Sequence, residues 1–326
     1  MSYLKRLALK IPPIRRLWYT RQALLAENAQ LRGIVPGAFF HYHTVFDAIG
    51  TIQHHAVADV QATPGYFTNF LGVKIDPKFV PAVLAGRAGE VEGTPIPANW
   101  HADIAEFAAV LRAVELSSKR FTIVELGCGW GCWLNIAGTA ARNAGREVRL
   151  IGVEGDEGHI GFAREACATN GFTPEQVVLH HGIAGAANGT ALFPRQSAAG
   201  VDWGLEPIFG ATEAERKAAI AAGSHDVLPM IALADLAGER KIDLLHIDIQ
   251  GGEADFIAGC LAELSRRVAY IVVGTHSRSI EGRLFELMQA AGWVLEMERP
   301  AILALTPAPV VTVDGVQGWR NPALLP

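Results

Sequence analysis

Apolar and polar residues follow a different pattern on each side of Phe121. From this residue onward, short apolar runs are followed by segments in which apolar residues recur every three or four positions. The apolar runs predict strands at 121–126, 148–154, 177–181, 244–248 and 269–274. The segments between them predict helices at 133–143, from about 155 to about 170, and at 252–264 and 280–291.

Strands that alternate with helices are typical of βαβ units, whose strands run parallel and are covered by helices on both faces. The sequence therefore predicts an α/β fold with a Rossmann-like, doubly wound, mainly parallel sheet. Two later apolar segments, 293–297 and 310–313, follow without a helix between them. We expect them to pair with each other and to close the sheet as terminal antiparallel strands.

The part of the chain before Phe121 has fewer regular patterns. Residues 34–120 are rich in turn residues and predict an irregular cap region with one helix from Asn99 to about Leu116. Residues 14–32 fit a short heptad, with Leu at three d positions and Asn28 at an a position. This pattern predicts either a coiled coil that joins copies of the chain or a helix packed on its own body.

These patterns divide the chain into four parts. They are a helical arm at 1–33, the cap region at 34–120, an α/β domain at 121–313 with an insert at 182–241, and a C-terminal tail at 314–326. With 326 residues, 50% of them hydrophobic, the chain can bury a large core, which excludes global disorder.

The net charge of −5 is unevenly distributed. Residues 1–33 contain seven Lys or Arg and one Glu, a net charge of +6, which leaves −11 for the remaining 293 residues. An acidic body does not favour a nucleic-acid partner. The basic arm favours self-association or contact with an anionic membrane surface.

Neither a membrane-spanning run nor a signal-peptide core is found in the sequence. Four cysteines in so long a chain are typical of reduced thiols rather than of a disulfide framework. We therefore expect a cytoplasmic protein, with the arm as its candidate contact to a membrane.

The segment that follows the first strand is a candidate ligand loop. Glu125 ends the strand, and Gly127, Gly129 and Gly131 follow at alternate positions before a helix begins. Glycines in a strand-to-helix turn let the backbone approach a ligand closely. The spacing differs from the dinucleotide fingerprint, in which the third glycine comes one place later.

Two further acids end strands of the same predicted sheet. Glu154 ends the second strand, 29 residues after Glu125, where a carboxylate can accept the ribose hydroxyls of an adenosine ligand. Its alternative role is to cap the following helix. Asp248 ends the fourth strand. Because ligands collect at the carboxyl ends of parallel strands, we expect Glu125, Glu154 and Asp248 to face one crevice.

Two histidines lie near this edge. His246, two residues before Asp248, is interpreted as a hydrogen-bonded core residue. His276 follows the fifth strand at the rim of the crevice. With a pKa near neutrality it could take a proton from a substrate hydroxyl. The alternative is a residue at a helix start that Ser277 or Ser279 caps.

The glycine loop, the Glu154 strand end and the stretch Leu-Leu-His-Ile-Asp-Ile-Gln-Gly-Gly-Glu at 244–253 together resemble S-adenosylmethionine-dependent methyltransferases. More narrowly, residues 121–300 resemble the FkbM-like family. The resemblance implies a class I methyltransferase sheet and S-adenosylmethionine as cofactor. The implied cofactor contacts are Gly127, Gly129 and Gly131 for the methionine part, Glu125 for the loop or the amino group, Glu154 for ribose, Gly182, Ile183 and Ala184 for adenine, and Asp248 for the sulfonium.

The chain also departs from the family pattern. Gln250 stands where the family often has an acid, and His246 where it often has lysine. Trp130 and Trp133 are bulky for a glycine loop. These departures bear on the acceptor more than on the cofactor.

The resemblance implies O-methylation of a hydroxyl, for which a sugar, glycan or secondary-metabolite acceptor is our expectation. Asp248 or His276 is the candidate base, and the chemistry requires no metal. The alternative is a metal-assisted version that recruits Asp248 with His276. The insert at 182–241 carries Phe193 and Trp203, whose aromatic faces suit sugar rings, although it could equally be a structural addition. The alternatives are a nucleotide-dependent oxidoreductase and a non-catalytic scaffold with a vestigial cofactor pocket.

Overall fold

The computed structural model describes residues 34–35, 38–39 and 41–325. The predicted helical arm and its heptad lie outside these residues. The strands, in chain order, are β1 (Ile34–Val35), β2 (Ala38–Phe39), β3 (His43–Thr44), β4 (Phe67–Thr68), β5 (Lys74–Ile75), β6 (Arg120–Leu126), β7 (Glu147–Glu154), β8 (Val177–His181), β9 (Ile183–Gly185), β10 (Gly189–Pro194), β11 (His225–Ala232), β12 (Leu244–Ile247), β13 (Tyr270–Thr275), β14 (Val294–Arg299), β15 (Ile302–Ala304), β16 (Val310–Val313) and β17 (Gly315–Arg320).

The helices are α1 (Ala48–His55), α2 (Pro81–Leu84), α3 (Ile104–Leu116), α4 (Cys132–Asn143), α5 (Glu157–Thr169), α6 (Glu213–Ala221), α7 (Leu233–Leu236), α8 (Glu253–Arg267) and α9 (Arg278–Ala290). Within the described ranges, no helix combines the length and the apolar composition that a membrane crossing needs.

An eight-stranded sheet forms the centre of the fold, in the order β3-β14-β17-β13-β12-β6-β7-β8. The five strands from β13 to β8 run parallel, and β17, β14 and β3 continue the sheet with antiparallel pairing. This arrangement confirms the predicted α/β fold with a mainly parallel, doubly wound sheet. The order reverses between β6 and β12, because the chain first builds outward to β8 and then returns to the other side of β6.

Helices cover the central strands on both faces, so these strands are buried on two sides. Alternate residues of β6 illustrate this: Ile123 belongs to the core under α3, α4 and α5, and Val124 to the core under α7, α8 and α9. Both residues are completely buried. The near-continuous apolar run that predicted this strand therefore reflects its two packed faces.

The C-terminal part of the sheet differs from the prediction. The segment at 310–313 does not pair with that at 293–297, because β16 pairs with β15 in a separate hairpin. The partner of β14 is β17, which also pairs with β13 and lies between the two. The predicted tail at 314–326 therefore contributes a strand to the central sheet, and its Trp319 is completely buried.

The regions at 34–120 and 182–241 contain more regular structure than the sequence indicated. The helix predicted from Asn99 begins at Ile104, and the region before it contains α1, which was not predicted. In the insert, β9, β10 and β11 form a small sheet, and α6 precedes β11.

A buried ion pair fixes the start of α3 to the central sheet. Asp103 caps the helix by accepting hydrogen bonds from the backbone N–H groups of Ala105 at 3.0 Å and Glu106 at 3.4 Å. The same carboxylate pairs with Arg299 at the end of β14. Asp103 and Arg299 are each 5% exposed. This pair positions the segment immediately before α3 relative to the sheet.

We expect Asp103→Ala to lower the free energy of unfolding by about 3–5 kcal/mol, because it removes the cap and leaves Arg299 buried without its counter-charge. Chemical denaturation measures this change. The matched control is Thr212→Ala, which removes the exposed capping box of α6 and no buried ion pair. The control should lose only about 1 kcal/mol. Equal losses in the two variants would contradict a stabilising role for the buried pair.

Candidate functional site

A cavity of about 850 Å³ opens at the carboxyl ends of β6, β7 and β12, where the strand order reverses. Open α/β sheets bind their ligands at this position, and the volume is typical of a small-molecule site. Gly127 and Gly129 of the glycine loop line the cavity together with Glu154 and Asp248, whereas Gly131 packs on Asn135 and Ala163 behind it. Residues of the insert line the cavity as well. The structure thus brings the predicted loop and acids to one cavity.

The glycine loop packs against β12 and β7, and Gly127 has no room for a side chain. A Cβ on Gly127 would lie 1.9 Å from the backbone oxygen of Asp248, and its φ of +72° also favours glycine. The N–H groups of Gly127 and Cys128 each donate to the carbonyl of Val153 at 3.0 Å. The turn is therefore fixed to both neighbouring strands, and its backbone faces the cavity.

Glu154 lies at the cavity and contacts the glycine loop. Its two carboxylate oxygens accept hydrogen bonds from the backbone N–H groups of Gly129 and Asp156, each at 2.8 Å. The cap of α5 is Asp156, which accepts from the N–H of His159. The structure therefore does not give Glu154 the alternative capping role. An ionised carboxylate has further lone pairs, so it can accept hydroxyl groups in addition to these two donors.

Glu125 is buried beneath the loop and caps α4. Gly131, which precedes this helix, has no side chain to cap it, and the Glu125 oxygens accept from the N–H groups of Trp133 at 3.2 Å and Leu134 at 2.8 Å. Burial raises the pKa of Glu125 to about 8, and these N–H groups and His246 oppose the shift. Of the two predicted roles, the structure gives Glu125 the stabilisation of the loop.

The residues predicted to lie near adenine are beside Glu154. Gly182 donates its N–H to the Glu154 carbonyl at 2.9 Å, and Ile183 and Ala184 begin β9. All three line the cavity. They and the glycine loop thus lie on either side of the Glu154 strand end.

Asp248 lines the cavity, and His276 lies against it. The distance from Asp248 Oδ1 to His276 Nε2 is 3.3 Å, and His276 Nδ1 is 2.9 Å from Glu253 Oε1. Burial alone would lower the pKa of His276, but its bonds to Asp248 and Glu253 raise that pKa to about 10. The expected near-neutral pKa is therefore wrong, because the prediction did not include the second carboxylate.

The contact with His276 also affects the pKa of Asp248. Burial disfavours the charged form of Asp248, but the hydrogen bond and charge of His276 outweigh it and hold the pKa of Asp248 below its ordinary value. The Asp248 side chain is 42% exposed, towards the cavity, whereas that of His276 is 17% exposed. Of the two candidate bases, Asp248 is thus the one on the cavity wall.

His246 is buried, as interpreted from the sequence. Its Nε2 is 3.0 Å from Glu106 Oε1, and its ring stacks on Trp133 with centroids 5.2 Å apart. The bonded partner is on α3, 140 residues away in the chain. The ring also forms part of the cavity wall.

Aromatic residues form much of the remaining wall. Trp203, from the insert, stacks on His159 with ring centroids 4.0 Å apart and planes 1° apart. A Cβ on Gly129 would lie 2.9 Å from the Trp203 ring, and one on Gly155 would lie 2.4 Å from Phe193. The insert therefore packs directly on the turns that follow β6 and β7 at the cavity.

Sequence reasoning missed two residues of this site. Glu253 is the last residue of the stretch 244–253, and no sequence pattern indicates that it is buried beside His276. His159 lies in the first turn of α5, where a histidine carries no special signal, yet its Nε2 accepts from the N–H of Gly200 at 3.2 Å in the insert. Both roles depend on contacts between distant parts of the chain.

Sequence similarity to known proteins extends over more than half of this chain. Residues 128–297 match the methyltransferase FkbM domain. A protein of Jannaschia sp. (strain CCS1) named "Putative methyltransferase" is 47% identical over 264 residues, which are 81% of this chain and 95% of the relative.

Two solved structures are more distant. A methyltransferase FkbM from Methylobacillus flagellatus KT is 13% identical, with a TM-score of 0.42, over 65% of this chain and 53% of that chain. A precorrin-6y C5,15-methyltransferase from Geobacter metallireducens GS-15 is 13% identical, with a TM-score of 0.36, over 65% of this chain and 86% of that chain. The domain match and the 47% identical relative show that the chain belongs to the FkbM methyltransferase family.

Proposed function

We propose that this methyltransferase uses S-adenosylmethionine to methylate a hydroxyl oxygen of a sugar, a glycan or a related secondary metabolite. The observation that carries the proposal is the joint position of the glycine loop, Glu154 and Asp248 around one cavity. Cofactor-binding groups and a candidate proton acceptor thus lie at opposite sides of the Gly127 turn.

The cofactor placement rests on the further lone pairs of Glu154 and on the cavity positions of the glycine loop. The Glu154 carboxylate lies at the end of β7, where it can accept the ribose hydroxyls. Gly182, Ile183 and Ala184 line the cavity on its far side, which is the position for adenine. Gly127 and Gly129 line it on its near side, which is the position for the methionine part, and Gly131 supports this turn from behind. The sulfonium then lies towards Asp248.

The reaction is an in-line displacement, in which the acceptor oxygen forms a bond to the methyl carbon as the carbon–sulfur bond breaks. The cofactor supplies the electrophile, and the protein aligns the reactants and excludes water. The proton of the hydroxyl leaves during or after attack. Asp248 can accept it despite its lowered pKa, because a methylated oxonium is far more acidic than a carboxylic acid. His276 acts through Asp248 as a positioning residue.

The insert supports a cyclic polar acceptor. Trp203 and Phe193 line the cavity, and Asp202 and Glu206 line it beside them. Sugar rings bind to surfaces of this kind, since their axial C–H groups pack on aromatic faces while their hydroxyls bond to the neighbouring acids. The family assignment favours this reaction over the oxidoreductase alternative.

Two partner proposals concern residues outside the described structure. Residues 14–32 are a candidate site for homo-oligomerisation, and the basic residues of 1–33 are a candidate contact with an anionic membrane surface. The acidic body, with −11 charges, supports the proposal that nucleic acid is not the acceptor.

Incubation with cofactor labelled in its methyl group and a panel of nucleotide sugars, lipid-linked glycans and small alcohols tests the reaction. We expect the labelled methyl group to transfer to a hydroxyl oxygen of the acceptor, giving a methyl ether whose position mass fragmentation locates. Transfer to nitrogen or carbon would overturn O-methylation. A chain that binds cofactor but transfers to no component of a complete cell extract would instead be a scaffold.

We expect Glu154→Ala to raise the Kd for S-adenosylmethionine at least about tenfold, because hydrogen bonds to a charged group contribute roughly 1.5–3 kcal/mol. Calorimetric titration measures this Kd. Glu157→Gln is the matched control, since this exposed acid lies three residues further on in the first turn of α5. The control should keep the wild-type Kd. A Glu154→Ala protein that stays folded and binds normally would remove Glu154 from the ribose site.

We expect Asp248→Asn to lower kcat by about 100-fold, the typical loss when a group that accepts a proton is removed. His276→Ala should lower kcat by a smaller factor, because His276 acts through Asp248. Both variants should keep the Kd for cofactor within a few-fold of the wild type. The readout is steady-state transfer to the acceptor found above. Wild-type turnover in Asp248→Asn would show that the proton leaves by another route.

A further inference from the structure

Three side chains meet at the carboxyl ends of β12 and β13, beside the part of the cavity wall that Asp248 forms. One ligand atom each of Asp248, Glu253 and His276 lies within 4.8 Å of the other two. They come from three elements: the end of β12, the first residue of α8 and the loop after β13. Asp248 faces the cavity, and the other two lie behind it.

Glu253 is an unusually buried acid. It is 0% exposed, and its Oε1 contacts three donors: the N–H groups of Ile249 at 3.2 Å and Gly251 at 3.0 Å, and His276 Nδ1 at 2.9 Å. Its Oε2 is buried and has no hydrogen-bond partner among the described residues. A buried carboxylate oxygen without a partner is strongly disfavoured, so this oxygen indicates a missing positive partner.

The turn between the two acids brings them together. Gln250, with a φ of +57°, and Gly251, with a φ of +103°, reverse the chain after β12. Asp248 and Glu253, five residues apart, therefore face the same imidazole. Gln250 Nε2 also donates to Asp248 Oδ1 at 3.1 Å, which orients this carboxylate.

The donor set identifies the class of ligand. Two carboxylates and one imidazole suit divalent cations from Mg²⁺ and Mn²⁺ to Zn²⁺, and soft thiolates are not among the three side chains. Ligands on opposite sides of a Mg²⁺ ion, each at about 2.1 Å, are about 4.2 Å apart. The ligand atoms of the three side chains lie within 4.8 Å of one another, so only small side-chain shifts would let them bind one ion.

We propose that Asp248, Glu253 and His276 bind one divalent cation of the Mg²⁺ or Mn²⁺ class at the acceptor end of the cavity. The sequence had led us to expect no metal. Three ligands would not fill the coordination sphere of such a cation, and Asp248 lines the cavity, so further ligands could come from there. If the proposed O-methylation is correct, on which this part of the inference rests, the acceptor hydroxyl is one of these ligands. A cation there would align the hydroxyl oxygen and make its proton more acidic.

Binding of Mn²⁺ to the full chain, treated with chelator and free of S-adenosylmethionine, tests the proposal. The paramagnetic resonance signal of free Mn²⁺ should fall as the ion binds, with one ion per chain, and Mg²⁺ should displace it. Glu253→Gln and His276→Gln should each weaken binding by about 10–100-fold, the range for lost metal-site partners.

The matched control is Asp255→Asn. Asp255 lies in the same first turn of α8 but is exposed and paired with Arg283 at 2.8 Å. It should retain the wild-type affinity for Mn²⁺, since it is outside the cluster. Circular dichroism establishes whether each variant is folded. If either Glu253→Gln or His276→Gln fails to fold, the comparison with wild type uses the remaining one.

The absence of stoichiometric binding at about 1 mM Mn²⁺, the weak end of protein sites for such cations, would overturn the proposal. Binding that survives in both Glu253→Gln and His276→Gln would overturn it as well. Either result would leave His276 as a charged partner of the two acids. Cofactor titration of the same metal-free protein tests the proposed methyltransferase chemistry separately, so the failure of one does not imply the failure of the other.

Discussion

The close contact between Gly127 and the backbone of Asp248 is the constraint on which the site depends. The carbonyl oxygen of Asp248 occupies the space that a Cβ at Gly127 would need. Only glycine therefore lets the loop after β6 lie flat on the end of β12. This contact joins the cofactor loop to the residue proposed to serve the acceptor, and it lies where the strand order reverses. The cavity opens here because α4, which follows β6, and α8, which follows β12, cover opposite faces of the sheet.

The three acids at this edge are stabilised in three different ways. Glu125 is fully enclosed and bonds to the first N–H groups of α4, so burial raises its pKa. Glu154 accepts from two backbone N–H groups while it faces the cavity. Asp248 pairs with His276, which lowers its pKa. Similar side chains at equivalent strand ends thus act as a helix cap, a candidate ribose acceptor and a candidate proton acceptor. The three carboxyl groups are chemically alike, so their different roles follow from their different surroundings.

Local patterns predicted the parallel strands well, since the central strands β6, β12 and β13 are buried on both faces and read as short apolar runs. The predicted 121–126 and 148–154 differ from β6 and β7 by one residue. The site acids followed from the rule that strand ends share an edge. Strand pairing at the C-terminus could not be predicted in this way. The run at 310–313 is the more strand-like by local pattern, because β17 contains two glycines, a glutamine and an arginine. Contacts with β13 and β14 nevertheless place β17 in the sheet. The pKa of His276 likewise depends on Glu253, which a turn of the chain brings to it.

The central claim is that the glycine loop and Glu154 bind S-adenosylmethionine. The most direct measurement is a calorimetric titration of the full wild-type chain with S-adenosylmethionine, with nicotinamide dinucleotides titrated in parallel. The account predicts one S-adenosylmethionine per chain and no binding of the dinucleotides. A wild-type protein that is folded but binds no S-adenosylmethionine, or that prefers a dinucleotide, would contradict it.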